Sequence, residues 1–229
     1  MSFIDWLFPK RCVACKKIGD YFCADCFSRM SFSVKLLCIE CNRNVIDGLT
    51  HTSCKKNDSI DGVFAAVVYS SVMKKALYTF KYPPYVSDLK NSLGELFYEG
   101  IIQHEAFIHS LTENSVFMPI PLHPQKFKKR GYNHAALLAK DLSKRLAISY
   151  SDILIRKKMT MPQFGLSKHQ RGENMRDAFS LKVPISAQTV FLIDDILTSG
   201  STMKEAAKVL KESGVTYVWG LVLARDQRV

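Results

Sequence analysis

Hydrophobic positions along this chain fall into blocks whose spacing switches between strand-like and helix-like. Val190-Phe191-Leu192-Ile193 is an unbroken apolar run, the pattern of a strand buried on both faces, and Met203 to Ser213 behind it has helical spacing. Gly62 to Ser70, Val116 to Ile120 and Tyr217 to Leu223 predict three more strands, and Asp152 to Ile155 a shorter one. Val72 to Phe80, Ser87 to Gln103 and Asn133 to Leu146 predict helices. In the second of these, Leu89, Leu93, Leu96, Phe97 and Ile101 recur near one face. Tyr82-Pro83-Pro84-Tyr85 separates the first two helices, and Pro121-Leu122-His123-Pro124 turns the chain after the second strand. Strands alternating with helices imply an α/β fold with a mostly parallel sheet flanked by helices.

The first quarter has a different texture. All seven cysteines lie there, six of them as Cys12-x-x-Cys15, Cys23-x-x-Cys26 and Cys38-x-x-Cys41, and His51-x-x-Cys54 repeats the spacing with histidine in front. Paired spacing favours tetrahedral zinc, because one turn brings two thiolates to a metal and a second pair closes the shell. The simplest solution is two structural sites, Cys12, Cys15, Cys23 and Cys26 followed by Cys38, Cys41, His51 and Cys54. The second is the weaker because it depends on His51, so one or two Zn²⁺ are expected; an interleaved pairing of the first and third pairs is the alternative. Polar Lys55 to Ser59 marks a boundary, giving a small double zinc ribbon over residues 1–58 and the α/β domain over 59–229.

Charge narrows the partners. The 229 residues carry a net +11, with a dense patch at Lys126, Lys128, Lys129 and Arg130, then Arg156, Lys157, Lys158, Lys168, Arg171 and Arg176. Such a surface either keeps the protein solvated or meets a polyanion, a nucleic acid or a substrate diphosphate. No stretch reaches the roughly 18 apolar residues of a membrane span. The opening segment, with Phe3, Ile4, Trp6, Leu7 and Phe8, is too short for a secretory signal and reads as docking on the chain's own surface. A cytoplasmic protein without stable membrane insertion is expected.

The chemistry concentrates behind the apolar run. Asp194 and Asp195 follow at its end, then Leu197-Thr198-Ser199-Gly200-Ser201-Thr202 leads into the helix. Backbone N–H groups, hydroxyls and a glycine free to take positive φ, at the positive end of a helix, hold a phosphate. The two carboxylates would repel that phosphate and instead suit sugar hydroxyls or a hydrated Mg²⁺. A phosphate beside a diol is a ribose 5-phosphate. The run resembles the phosphoribosyl pyrophosphate (PRPP) signature of type I phosphoribosyltransferases.

Two further loops extend the likeness. Met118-Pro119-Ile120-Pro121-Leu122-His123-Pro124 leads to Arg130-Gly131-Tyr132-Asn133, and Gln163-Phe164-Gly165-Leu166 leads to Arg171-Gly172-Glu173-Asn174 and Ala178-Phe179. With the Phe8-Pro9-x-x-Cys12 start, the chain resembles the ComF family of competence proteins, which join a cysteine-rich zinc segment to a phosphoribosyltransferase-like domain. His51 departs from the cysteine usual in that family. Arg130 and Arg171, in polar glycine-containing loops, suit bidentate bonds to diphosphate oxygens, or are solvated surface arginines. Asn133 and Asn174 either donate to the same group or cap helices. Gln163 is raised above a surface residue only by the family pattern, and His123 after Pro121 reads as structural.

Two functions follow. The resemblance implies DNA uptake, in natural transformation or nutrient use, with PRPP and Mg²⁺ bound, single-stranded DNA handled and a competence helicase as partner. Tyr82, Tyr85 and Tyr132 are candidates to stack bases, or packing residues. The alternative is a catalytic phosphoribosyltransferase of nucleotide metabolism with no DNA role. Asp194, Asp195, Arg130 and Arg171 would then be the catalytic residues, with Mg²⁺ and the arginines on the departing diphosphate, under a mobile basic lid from Lys126 to Gly131.

Overall fold

In strand β1 (Gly62–Val68), Phe64 and Ala66 enter one hydrophobic cluster and Val63 and Ala65 another, so the strand is buried on both faces. The same division holds in β2 (Ser115–Pro119) and in β6 (Thr189–Leu197), where Phe191 and Ile193 face one cluster, Val190 and Leu192 the other. Two-sided burial demands layers on both faces, and the chain supplies them. The structure is a computed structural model that describes residues 9–82, 88–159 and 168–227, with the backbone alone for 168, 169 and 171. The apolar Phe3 to Phe8 segment lies outside the described residues.

Five parallel strands form the main sheet in the order β1-β7-β6-β2-β3, with β3 at Ser149–Tyr150 and β7 at Tyr217–Arg225. Helices α2 (Ser71–Lys81), α3 (Leu89–Ile101) and α6 (His134–Leu146) cover the face of Phe64, Phe117 and Phe191. Helix α8 (Ser201–Glu212) covers the opposite face through Met203, Ala206, Ala207 and Leu210. This is the α/β architecture the periodicity predicts, with the small cysteine-rich segment, including the one-turn α1 (Ala24–Phe27), at its amino-terminal side.

The cysteine-rich segment is built twice on one plan. Lys16 donates its N–H to Cys12 O at 2.9 Å, and Asn42 to Cys38 O at 2.8 Å; both turn residues hold positive φ, 69° and 60°. Cys12 and Cys38 in turn donate across the knuckle to Lys17 O and Arg43 O. Among the described residues, the segment forms no separate hydrophobic cluster. Cys12, Val13, Cys26 and Met30 join the cluster on the α2 face, and Ile39 joins the cluster on the α8 face.

Several expectations needed correction. The strand expected over Asp152 to Ile155 forms as β4 (Leu154–Arg156) but outside the main sheet, pairing antiparallel with β5 (Phe179–Leu181) in a separate ribbon, and the main sheet is extended instead by the earlier β3. β6 does not end at Ile193; pairing with β7 continues to Leu197↔Arg225, so Asp194 and Asp195 lie inside the strand. Helices α5 (Pro124–Arg130) and α7 (Lys168–Met175) replace segments read as loops, and α4 (Glu105–Ser110) forms where no element was expected. The basic lid is therefore a helix. Pro124 sits in its first turn, the His123 side chain accepts from Gln125 N, and Gly131 closes it at φ 84°.

Candidate functional site

Alternation along β6 decides where the two carboxylates go. Asp195 follows Phe191 and Ile193 towards the α2 and α6 face, and there it meets Lys81, the last residue of α2, and His134, the first of α6. Lys81 Nζ is ion-paired with Asp195 Oδ2, and His134 Nε2 lies 3.0 Å from Oδ1. The other imidazole nitrogen, Nδ1, lies 2.8 Å from Arg130 and accepts from its guanidinium, because arginine can only donate. His134 is thus a neutral imidazole with its proton on Nε2, directed at Asp195.

Electrostatics agree with this chain of contacts. Burial raises the Asp195 carboxyl, but the Lys81 charge and then His134 overcome it and hold it well below the usual range. Burial pushes His134 down, outweighing the pull of Asp195. Burial also lowers Lys81, but Asp195 outweighs it and holds the ammonium charged. Asp194 goes the opposite way: burial first, then the charge of Asp195, raise it well above the ordinary carboxyl value. Of the two, Asp194 is the carboxylate whose protonation state a ligand can change.

Both carboxylates line a cavity of about 220 Å³ at the carboxyl end of β6. Its floor is Thr198, Gly200, Ser201 and Thr202, and Lys81, Lys126, Arg130 and Arg156 reach it from the other sides. Gly200 takes φ 74°, as the phosphate-loop reading requires, and is the N-cap of α8 with no side-chain cap. Ser199 turns inward, its Oγ 3.0 Å from Ser201 Oγ. Burial lowers Lys126, and repulsion from Arg156 and Arg130 adds to it. Cations crowded at the start of a helix favour an anion between them.

Other sequence-derived candidates fall outside this cavity. Asn133 does not line it; its Oδ1 accepts from Ala135 N and its Nδ2 donates to Ile120 O, so it caps α6 and ties it to the β2 loop. Arg130 ends α5 and Arg171 and Asn174 lie on α7, rather than in loops. Asn174 is not on the cavity wall, the Arg171 side chain is not described, and Gln163 and Tyr85 lie outside the described residues. The Tyr132 hydroxyl donates to Phe80 O, a packing role. Lys81 and His134 were missed. Their signal is an ionisable group on an apolar helical stripe: His134 with Ala135, Leu138 and Leu142, and Lys81 one turn beyond Leu77.

The cysteines gather as two clusters, Cys12, Cys15, Cys23 and Cys26, then Cys38, Cys41, His51 and Cys54, each with its candidate ligand atoms within 4.8 Å of one another. The pairs combine in sequence order and do not interleave. Tetrahedral bonds of about 2.3 Å place sulfur donors about 3.8 Å apart. Cys15 Sγ and Cys23 Sγ are 3.6 Å apart, and Cys41 Sγ and His51 Nδ1 3.3 Å. His51 Nε2 lies 3.0 Å from Asn44 O, the outer hydrogen bond that orients a metal-binding imidazole. Burial raises the Cys12 thiol, but backbone donors at Cys15, Cys23 and Ala14 bring it down to about 6. The Arg43 side chain, donating to the sulfur, lowers Cys41 to about 6. Both clusters fit zinc.

Comparison with known proteins gives the same two parts in the same order. Residues 3–56 match the double zinc ribbon domain and residues 133–228 the phosphoribosyl transferase domain. The chain is 40% identical to competence protein F of Haemophilus influenzae over 122 residues, 51% of this chain and 53% of that protein. It is 24% identical to the DNA utilization protein YhgH of Escherichia coli over 225 residues, 95% of this chain and 97% of that protein. In both parts and in their order the chain is similar to ComF-family competence proteins. The match to the Haemophilus protein spans about half of its length, whereas the Escherichia coli protein aligns nearly end to end. No helix among the described residues is long and apolar enough to cross a membrane.

Proposed function

We propose that this chain is a ComF-family protein that binds PRPP with Mg²⁺ in the β6 cavity and acts in the uptake or use of DNA. The observation that carries the sugar-phosphate reading is the cavity itself. A phosphate-sized loop at the start of α8 faces Lys81, Lys126, Arg130 and Arg156, with Asp194 between them. Backbone N–H groups and hydroxyls from Thr198 to Thr202 would hold the 5-phosphate. Asp194 would accept from the ribose hydroxyls, and Lys126 and Arg130 would hold the diphosphate. Asp195 is committed to Lys81 and His134, so it would position the others and hold charge rather than move. Arg171 belongs to the proposal through its family motif.

His134, Asp194 and Asp195 place candidate ligand atoms within 4.8 Å of one another. Both nitrogens of His134 are already engaged, which leaves carboxylate oxygens and ligand oxygens, the donor set Mg²⁺ favours. When bound, Mg²⁺ would neutralise part of the diphosphate charge. If transfer occurs, diphosphate leaves C1 of the ribose and an acceptor takes its place. The chain would contribute orientation and fixed cations to that step.

The DNA role rests on the printed names of the relatives and on the +11 charge. Single-stranded DNA and a competence helicase are the partners this reading implies. Zinc would fill both cysteine clusters as a structural metal of a ribbon over residues 1–58, joined to a transferase-like unit over 59–229. Cysteines held in metal-like clusters rather than disulfides suit a cytoplasmic site. Crystals soaked in PRPP and Mg²⁺ test the ligand. Density for the 5-phosphate over Thr198–Thr202 would support it. Saturating ligand without density there would overturn it.

A further inference from the structure

We propose that the groove between the first ribbon knuckle and α2 binds single-stranded nucleic acid alongside the sugar-phosphate cavity. The proposal rests on the DNA reading above and gives it a surface. The groove has a volume of about 1080 Å³ and shares Lys81, Asp195, Ile196 and Thr198 with the cavity. Pockets for drug-sized ligands run to about 1,000 Å³, so the groove has room for more than one nucleotide.

Its walls have the chemistry of a stacking platform. Tyr78 on α2 and Tyr82, the extended residue that caps its carboxyl end, are 64% and 45% exposed, with ring centroids 4.9 Å apart. Packing of α2 on the sheet is carried by Val72, Met73, Ala76, Leu77 and Phe80, so neither tyrosine is needed for it. The guanidinium of Arg130 lies 5.3 Å from the Tyr82 ring centroid and joins the platform to the cavity wall. Exposed aromatic faces take any base, because every base has a π-face.

Charge selects the occupant. Lys16 comes from the knuckle, and Lys74 and Lys75 from α2, with Lys74 one turn before Tyr78. Against these cations stand Asp195, already ion-paired with Lys81, and Asp226. Lysines on both sides of the groove, beside two exposed tyrosine rings, match a phosphate backbone with its bases turned inward. The basic helix α5, whose Lys128 and Lys129 are exposed, is not needed for this path.

Fluorescence anisotropy of a labelled oligothymidylate with the full zinc-loaded chain tests the proposal. Wild type should bind, with affinity falling as salt rises. Tyr78→Ala should weaken binding about tenfold or more, while Tyr78→Phe keeps the ring and should bind like wild type. Lys74→Ala, and Lys16→Asn, which tolerates the positive φ there, should each lower the log–log salt slope by about 0.7. Affinity for Mg-PRPP should stay unchanged in Tyr78→Ala, which also shows that the variant is folded. Oligonucleotide binding that ignores all these substitutions would overturn the groove and leave the DNA reading standing. No salt-sensitive binding by wild type would overturn both, with the sugar-phosphate site judged separately by its own affinity.

Discussion

Ile39, between two cysteines of the second cluster, lies directly over Gly200 of the phosphate loop. A Cβ placed on Gly200 would stand 2.7 Å from Ile39 Cγ1, closer than real side chains approach. Two further contacts fix this arrangement: Lys204 of α8 is ion-paired with Glu40 at 2.8 Å, and Arg225 at the end of β7 donates to Leu37 O at 3.0 Å. The second cysteine–histidine cluster and the loop at the start of α8 are therefore parts of one packed unit.

Gly200→Ala meets two penalties, the positive φ and the Ile39 contact. The backbone strain alone costs on the order of 1–2 kcal/mol. Loss of melting temperature and of PRPP affinity is expected. Adding Ile39→Ala removes the steric part, so Gly200→Ala should cost less stability in an Ile39→Ala background than in wild type. Thermal unfolding of wild type, the two single variants and the double variant checks this; an equal cost in both backgrounds contradicts the contact.

Metal content makes a second prediction. Purified wild type should hold about two Zn²⁺, one for each four-donor cluster, and Cys38→Ser about one. Because Ile39 and Glu40 follow Cys38 directly, the same variant should weaken Mg-PRPP binding at a distance. Elemental analysis beside calorimetry reads both. Loss of one metal with unchanged PRPP affinity would separate the ribbon from the loop.

His134 and Asp194 predict two separate pH responses. His134 is held below its ordinary pKa, so the unfolded chain binds a proton that the folded chain refuses. Its contribution is present above about pH 6.5 and is lost as pH falls through that value towards the lower folded pKa. Denaturation curves of wild type should lose stability relative to His134→Gln across that window. Asp194 is raised, and a bound cation must displace its proton. Mg²⁺ affinity should therefore climb as pH rises through the raised value, and Asp194→Asn should flatten the profile.

Lys81 and Asp195 form a pair with little solvent, at 20% and 5% side-chain exposure. Lys81→Met leaves a buried carboxylate without its main partner, a loss of about 3–5 kcal/mol for such pairs. Asp195→Asn with Lys81→Met should recover part of it. Urea denaturation of the single and double variants measures the coupling.

The layout of the sheet was legible because strands buried on both faces write themselves as apolar runs, as Val190 to Ile193 does. The strand, loop and helix start that line the cavity were legible because they are consecutive, from Asp194 to Thr202. What escaped depends on distance. His134 and Asp195 are 61 residues apart, and only the folding of α6 over β6 brings them together. Helix α5 escaped because seven residues cannot show a period, although Pro124 and Gly131 marked both of its ends. Asn133 fitted a ligand role as well as a capping one, and its two hydrogen bonds decide for the cap.

The central claim is that the cavity at the end of β6 holds a sugar phosphate bearing a diphosphate. Calorimetric titration of Mg-PRPP into wild type, Asp194→Asn and Arg130→Ala tests it most directly. Saturable one-site binding is expected in wild type, weakened about tenfold or more in each variant, since a hydrogen bond to a charged group is worth about 1.5–3 kcal/mol. Equal affinity in all three proteins, or no heat of binding in a wild type that carries its zinc, would contradict it.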